Sequence, residues 1–207
     1  MREKKYKTLI HFSSSEVYGS AKETLISEKH PLAPHTPYAA GKAAADLQML
    51  SWYKMFNSDI AIIRPFNTYG PRQNKGIYAG VIPTTIQKIL KGEKPIVEGN
   101  GKQTRDFIYV TDTVRSAIDI YKNKATRGKI INIATGKSTS IKTIITLITE
   151  QLNYKKNLIW KPKRVADVSR HCADISLAKS TIHFTPTVTL KVGLSHTVKW
   201  YQENFKK

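Results

Sequence analysis

Ser13-Ser-Ser-Glu-Val-Tyr-Gly19, followed after a polar connection by Pro37-Tyr-Ala-Ala-Gly-Lys42, is the stretch from which the fold of this chain is read. Thr36 can accept from the first backbone amides of a helix, and Pro37 suits its first position, where no intrahelical donor is needed. Apolar Ala44, Leu47, Met49, Leu50, Tyr53 and Phe56 follow at roughly helical spacing, which predicts a helix from Pro37 to about Asn57. Tyr38 and Lys42 then lie one turn apart on one face. Upstream, Thr8-Leu-Ile-His-Phe12 is a short apolar run that reads as a strand buried on both faces, as in a parallel sheet. Ser13–Gly19 falls at the C-terminal end of that strand, where open α/β sheets place their ligands.

This arrangement has a chemical use. A free tyrosine titrates near ~10, too high for a base at neutral pH, and a neighbouring ammonium favours the phenolate. A tyrosine so tuned can take a proton from a sugar hydroxyl while a nicotinamide takes the hydride, with a serine holding the same hydroxyl. Tyr-x-x-x-Lys arises often by chance, so the spacing gains weight only from what accompanies it.

Ile60–Arg64 is a second buried strand, and Pro65–Gln73 is again a loop at a strand's C-terminal end. Val81–Leu90 has a helical pattern stopped at Gly92. Pro95–Glu98 reads as a strand leading into the Gly99-Asn-Gly101 turn, and Thr104–Val110 as extended. Thr111 or Asp112 caps a helix carrying Val114, Ala117, Ile118 and Tyr121 on one face. Lys129–Ala134 is a strand with Gly136 in its exit turn. Ser140 caps a helix with Ile141, Ile144, Ile145, Ile148 and Leu152 in phase. A short strand at Leu158–Trp160 and helices near 175–182 and 189–205 complete the chain.

At 207 residues, 40% of them hydrophobic and 24% charged, the chain has the composition of a globular protein with a real core. No run is long and apolar enough for a membrane span and no signal-peptide pattern opens the chain. A single cysteine, Cys172, excludes an internal disulfide and suits a reducing cytoplasm; it reads as an inert thiol. The net charge of +19 raises the question of nucleic acid. The lysines are scattered, however, no nucleic-acid module is visible, and an anionic substrate also favours a positive cleft. The six histidines show no metal-ligand spacing.

The sequence resembles the extended short-chain dehydrogenase/reductases that act on nucleotide sugars, namely 4,6-dehydratases, 4-epimerases and decarboxylases. The resemblance rests on residues 13–19, Tyr38-x-x-x-Lys42, Arg64-Pro-Phe-Asn-Thr-Tyr-Gly-Pro-Arg-Gln73, Gly99-Asn-Gly-Lys-Gln-Thr-Arg-Asp-Phe-Ile-Tyr-Val-Thr-Asp112, Asn132-Ile-Ala-Thr-Gly136 and Arg164-x-x-Asp167, in the family's order. It implies an α/β fold: an incomplete Rossmann-like parallel sheet from residues 1–70 and about 108–137, with a smaller C-terminal substrate-binding lobe from 71–107 and 138–207. It implies NAD as cofactor and a nucleotide-diphosphate sugar as substrate, with no nucleic acid or membrane partner and a cytoplasmic setting. Ser14 matches the catalytic serine, Tyr38 the base, and Lys42 its electrostatic partner, which also reaches the nicotinamide ribose. Pro65 would lie near the nicotinamide. Glu16 would take the C5 proton in a dehydratase. Ser15 stands where many dehydratases carry an aspartate that assists loss of the 6-hydroxyl, though a Ser-Glu form also occurs. Asn67 would bind the diphosphate or sugar, Arg105 and Arg164 the pyrophosphate, and Asp167 the nucleotide ribose. Arg72 is either a phosphate contact or an ordinary loop arginine. Asp112 reads as a helix cap and Ser13 as structural. Arg105-Asp106-Phe107 argues against the decarboxylases, which usually place a small residue after that arginine.

The resemblance implies a 4,6-dehydratase, with a 4-epimerase as the alternative. One family element is missing: no Gly-x-x-Gly-x-x-Gly turn, which cradles the dinucleotide pyrophosphate at a helix N-terminus, occurs in these residues. The chain starts where the family's fifth strand starts. Strand 8–12 would therefore lack a neighbour on one edge, and such an edge pairs or aggregates. The expectation is a homodimer, a separately encoded N-terminal half, or a non-catalytic remnant inactive alone.

Overall fold

The computed structural model describes residues 6–74, 76, 79–164 and 168–205. In chain order the elements are β1 (Leu9–Phe12), a 3-10 turn (Ser15–Tyr18), α1 (Pro37–Phe56), β2 (Ile60–Pro65), β3 (Asn67–Tyr69), α2 (Val81–Leu90), β4 (Ile96–Glu98), β5 (Thr104–Arg105) and β6 (Phe107–Tyr109). There follow α3 (Val110–Lys122), a second 3-10 turn (Lys124–Thr126), β7 (Ile130–Ile133), β8 (Thr139–Ser140), α4 (Ile141–Gln151), β9 (Ile159–Lys161), α5 (Ser176–Ile182) and α6 (Leu190–Glu203).

Three strands form a parallel sheet in the order β1-β2-β7. Leu9 pairs with Ile60 and Phe12 with Ile63, while Ile62 pairs with Ile130 and Pro65 with Ile133. β2 is central and buried from Ile60 to Arg64, which is why it reads as an unbroken apolar run. α1 packs on one side of β2, and α3 on the other, with α5 packed on β7. Ala61, Ile63, Ile131 and Ile133 meet Ile120 of α3 and Ala178 and Ile182 of α5 in one core. A second core gathers Val17, Tyr18, Ala43, Phe66 and Ala134.

The lobe is built on α2, α4 and α6, which pack on one another. Their facing residues, Ile82, Ile86, Ile144, Ile148, Leu194 and Val198, enclose Tyr69 and Tyr109 from the strand pair β3-β6. Gly193 is what lets α6 approach: a Cβ there would lie 2.2 Å from the Tyr69 hydroxyl oxygen. Two buried carboxylates fasten lobe to sheet. Asp106, in the break between β5 and β6, accepts from the Thr135 amide and hydroxyl and from the Gly136 amide at 2.6–2.8 Å. Asp112 accepts from the Thr187 amide and hydroxyl and the Val188 amide at 2.7–3.0 Å.

Several expectations change. β1 is half-buried rather than buried on both faces, because β2 is its only strand neighbour among the described residues. Residues 67–69, read as loop, form β3, a strand too short to show a period. Thr104–Val110 is two strands in different sheets, broken where Asp106 turns inward. α3 begins at Val110 with Tyr109 as N-cap and no side-chain cap bond, since Asp112 is committed to Thr187 and Val188. Val114, Ile118 and Tyr121, grouped on one face, are on the exposed face of α3, and its buried residues are Asp112, Thr113, Ser116 and Ile120. α1 likewise buries Ala39, Ala43 and Asp46 and leaves Leu47 and Phe56 exposed. Small residues face inward there because α1 lies close on β2 and on the 3-10 turn.

Candidate functional site

A cleft of about 390 Å³ opens between the sheet and the lobe. Glu16, Thr36 and Asn67 line it from the sheet side, and Glu98, Arg105 and Arg164 from the lobe side. The Ser13–Gly19 segment leaves β1 and winds at once into the 3-10 turn. The Ser14 hydroxyl caps that turn by accepting from the Glu16 amide at 3.2 Å, which sets Glu16 in its first turn. Gly19 closes the turn with φ of 63°, and a Cβ there would lie 1.9 Å from the Ala33 carbonyl oxygen. Ser15 is buried and does not line the cleft.

Thr36 caps α1 by accepting from the Ala39 amide at 3.2 Å, and so joins the cleft wall to the helix that carries Tyr38 and Lys42. Tyr38 is 59% exposed, with Lys42 Nζ 6.0 Å from its ring centroid. Lys42 Nζ donates to the Phe12 carbonyl at 2.8 Å. The Tyr-x-x-x-Lys face of α1 is thereby fastened to the C-terminal end of β1, two residues before Ser14. Neither Tyr38 nor Lys42 lines the cleft itself.

One turn beyond Lys42, Asp46 is fully buried. One carboxylate oxygen accepts from Ser13 Oγ at 2.7 Å and from Arg64 Nε and Nη2 at 2.9 and 2.7 Å, and the other lies 3.2 Å from His11 Nε2. The Arg64 guanidinium lies 4.7 Å from the Tyr18 ring centroid, and Tyr18 donates to Asn132 Oδ1 at 2.7 Å. A polar chain thus runs under the strand ends from β1 through α1 and β2 to β7. Burial pushes the Tyr18 phenol up to about 12, against the pull of Arg64, so it stays neutral. Burial also lowers His11, against the pull of Asp46.

Pro65 ends β2, half-buried. Asn67 opens β3, and its buried amide nitrogen has no hydrogen-bond partner among the described residues, a donor facing a cleft that can supply an acceptor. Arg105 is buried against the cleft, its Nη1 donating to the Thr104 and Val168 carbonyls at 2.9 and 2.6 Å. Arg164 pairs through Nε with the Glu98 carboxylate. Arg72 is exposed, adopts φ of 64° and does not line the cleft, as an ordinary loop arginine would. Asp167 lies outside the described residues. The structure therefore brings Glu16, Asn67, Arg105 and Arg164 around one cleft, sets Ser14, Tyr38 and Lys42 on the elements at its sheet end, and leaves Ser15 and Arg72 apart.

Behind the cleft, His171 is buried with its ring 5.1 Å from that of Phe66. Burial, reinforced by Arg105, pushes it down to about 3, so it is neutral. Burial raises Cys172 to about 11, which fits an inert thiol. Among the described residues no three His, Cys, Asp or Glu side chains form a metal-binding group, and no helix is long and apolar enough to cross a membrane.

The GDP-mannose 4,6 dehydratase family matches this chain over residues 1–197. The chain belongs to that family. Among the relatives are UDP-sugar 4-epimerases and dTDP-glucose 4,6-dehydratases. A putative UDP-glucose 4-epimerase of Methanocaldococcus jannaschii is 33% identical over 93% of this chain and 62% of its own length. Human dTDP-D-glucose 4,6-dehydratase is 32% identical over 98% of this chain and 59% of its own. The solved UDP-N-acetylglucosamine 4-epimerase of Methanobrevibacter ruminantium, in complex with UDP-N-acetylmuramic acid, superposes with a TM-score of 0.92 at 34% identity, over 99% of this chain and 66% of that one. The dTDP-glucose 4,6-dehydratase of Bacillus anthracis in complex with NAD superposes with a TM-score of 0.86 at 30% identity, over 95% of this chain and 62% of that one. The chain spans about three-fifths of the length of the curated relatives it matches.

The epimerase/dehydratase motifs pointed to Glu16, Asn67, Arg105 and Arg164 but not to Glu98, to Thr36 as a cleft wall, or to buried Asp46 beneath the strand ends. Asp46 carried a signal: it continues the Tyr38–Lys42 stripe by one more turn, and a carboxylate on a face of alanines is out of place unless paired. Glu98 gave none, since a strand-end glutamate looks solvent-facing.

Proposed function

We propose that this chain carries the substrate cleft and the acid–base residues of an NAD-dependent nucleotide-sugar 4,6-dehydratase. The observation that carries this reading is the cleft itself. It has a carboxylate, Glu16, at the sheet end beside the strand tips, and an unpartnered amide donor at Asn67. Two arginines, Arg105 and Arg164, lie toward the lobe. That sequence of groups suits a sugar held at one end and a diphosphate at the other.

The residues present fit the nicotinamide end of NAD. Tyr38 is open at the C-terminal edge of the parallel strands, with Lys42 fixed beside it and Pro65 ending the neighbouring strand. The glycine-rich turn that would cradle the pyrophosphate is not among these residues. NAD, when bound there, would supply reversible hydride chemistry, an acceptor for the C4 hydride and a donor for its return. Tyr38, as the phenolate with the Lys42 ammonium beside it as counter-charge, takes the proton of the 4-hydroxyl and becomes the neutral phenol. Ser14 holds the same hydroxyl by a hydrogen bond. The C4 ketone acidifies C5; Glu16 takes the C5 proton and hands it to the departing 6-hydroxyl, which leaves as water. Buried Ser15 serves the turn rather than the leaving group. Arg105 and Arg164 hold the diphosphate.

A 4-epimerase is the second reading, supported by the M. jannaschii and M. ruminantium relatives. It uses Tyr38, Lys42 and Ser14 in the same way and leaves Glu16 without a chemical step. A protein that needs a separate N-terminal half, or has no activity, is the third. Mass analysis of the product from dTDP-glucose and UDP-glucose with NAD separates them. The dehydratase releases a sugar lighter by one water, the epimerase one of unchanged mass whose inverted C4 is seen by proton NMR, and the third leaves only unreacted substrate. These 207 residues alone are expected to bind NAD weakly or not at all. Tight, saturable NAD binding in calorimetry would contradict that.

A further inference from the structure

The cleft presents two guanidiniums, Arg105 and Arg164, and two carboxylates, Glu16 and Glu98. A site for a diphosphate gains from a surplus of positive charge, and each carboxylate in it works against that. Glu16 has a chemical use at the sheet end. Glu98, at the lobe end, has none in the proposed reaction.

Its position is nevertheless well fixed. Glu98 ends β4 and is the register partner of Lys161 on β9, three residues before Arg164. Gln103 Nε2 donates to the Glu98 carbonyl at 2.9 Å, and the Gly99 amide donates to the Lys161 carbonyl at 2.9 Å. The Glu98 and Arg164 side chains, 26% and 66% exposed, close an ion pair from these adjacent strand ends. The pair engages Nε of Arg164, and a guanidinium has four further N–H donors in its planar fork. Exposed pairs of this kind are weak, which suits a contact that is made to be exchanged.

We propose that Glu98 is a positioning residue that holds Arg164 across the cleft mouth, and that a nucleoside diphosphate binds by partner exchange, its phosphate oxygens displacing the Glu98 carboxylate from Arg164. The inference rests on the reading of the cleft as a nucleotide-sugar site. It makes Glu98 a brake on affinity: the ligand must break the pair and approach a carboxylate before it gains the guanidinium. Phosphate outcompetes the carboxylate because it offers three oxygens in a geometry the fork matches bidentately.

The test uses calorimetric titration of this chain with UDP, dTDP and GDP, at two salt concentrations. Glu98→Gln removes the competing charge and keeps the side chain's size. It is expected to tighten binding by about two- to fivefold, the range exposed ion pairs span. Arg164→Ala is expected to weaken binding and to flatten its salt dependence. In the Arg164→Ala background the gain from Glu98→Gln should shrink, because Glu98 acts mainly through Arg164. If Glu98→Gln leaves affinity unchanged or lowers it, the exchange is wrong, and a loss would mean that the carboxylate touches the ligand directly. An undiminished gain in the Arg164→Ala background also overturns the exchange. Absence of saturable binding by all three nucleotides overturns the nucleotide reading of the cleft, and the inference with it.

Discussion

The lobe covers itself and the sheet does not. In the lobe, α2, α4 and α6 close around Tyr69 and Tyr109, and the apolar residues that the helical period singles out, such as Ile82, Ile86, Ile144 and Ile148, are the buried ones. In the sheet, β2 is covered on both faces, yet β1 has one strand neighbour among the described residues, and α3 presents Val114, Ile118 and Tyr121 to solvent beside an apolar groove of about 430 Å³. An amphipathic helix normally turns its apolar stripe inward. Where the stripe faces out, next to an open parallel edge, the region has the form of a surface meant to be covered. The sheet is held internally by the buried Asp46–Arg64 ion pair with Ser13 and His11 around it.

The largest effect expected is on that pair. Asp46→Ala leaves the Arg64 guanidinium buried without its counter-charge and should cost about 3–5 kcal/mol in urea denaturation, whereas Asp46→Ala with Arg64→Met, which removes both charges, should cost far less. Equal losses in the two variants would show that the sheet is held by packing, as the lobe is.

Acid should act from the same side. His171 is pushed down to about 3 by burial, so the unfolded chain binds its proton well before the folded one does. Stability is therefore present above pH ~6.5 and is lost as pH falls toward ~3, by roughly 4 kcal/mol from this group. Melting temperature followed against pH should show this acid limb, and His171→Leu should flatten it.

The lobe has its own tight point. Gly193→Ala puts a Cβ against the Tyr69 hydroxyl and should destabilise by about 1–3 kcal/mol, with Tyr69→Phe in the same chain recovering part of the loss of melting temperature. The smallest effect belongs to the open face. Ile118→Asp should change stability by less than about 0.5 kcal/mol in urea denaturation. A cost of several kcal/mol would mean that the residue is covered and the contrast between the regions is false.

Legibility in the sequence followed the same division. α2 was readable at both ends and α4 at its start, because most of their periodic apolar residues lie on their buried faces. α1 was readable from its cap, where Thr36 and Pro37 act locally, but not from its apolar residues, because Ala39, Ala43 and Asp46 are what it buries. α3 was readable as a helix, but its start was not, because Asp112 is drawn away to Thr187 and Val188, some 75 residues on. Of the candidate site, Glu16, Asn67, Arg105 and Arg164 were named from motifs and meet at the cleft. Arg72 belonged to the same motif run and does not, although its neighbour Gln73 lines the cleft. Glu98 carried no local mark.

By itself the sequence determined the helices, the strands of the parallel sheet, the caps of α1 and α4, and the pairing of Tyr38 with Lys42 on one helical turn, because these depend on residues a few positions apart. Only the tertiary structure decided that Asp46 gathers Ser13, His11 and Arg64, and that Arg164 meets Glu98 at adjacent strand ends on the lobe side of the cleft. Those contacts join segments distant in the chain, and their energies come from burial and charge in the assembled fold.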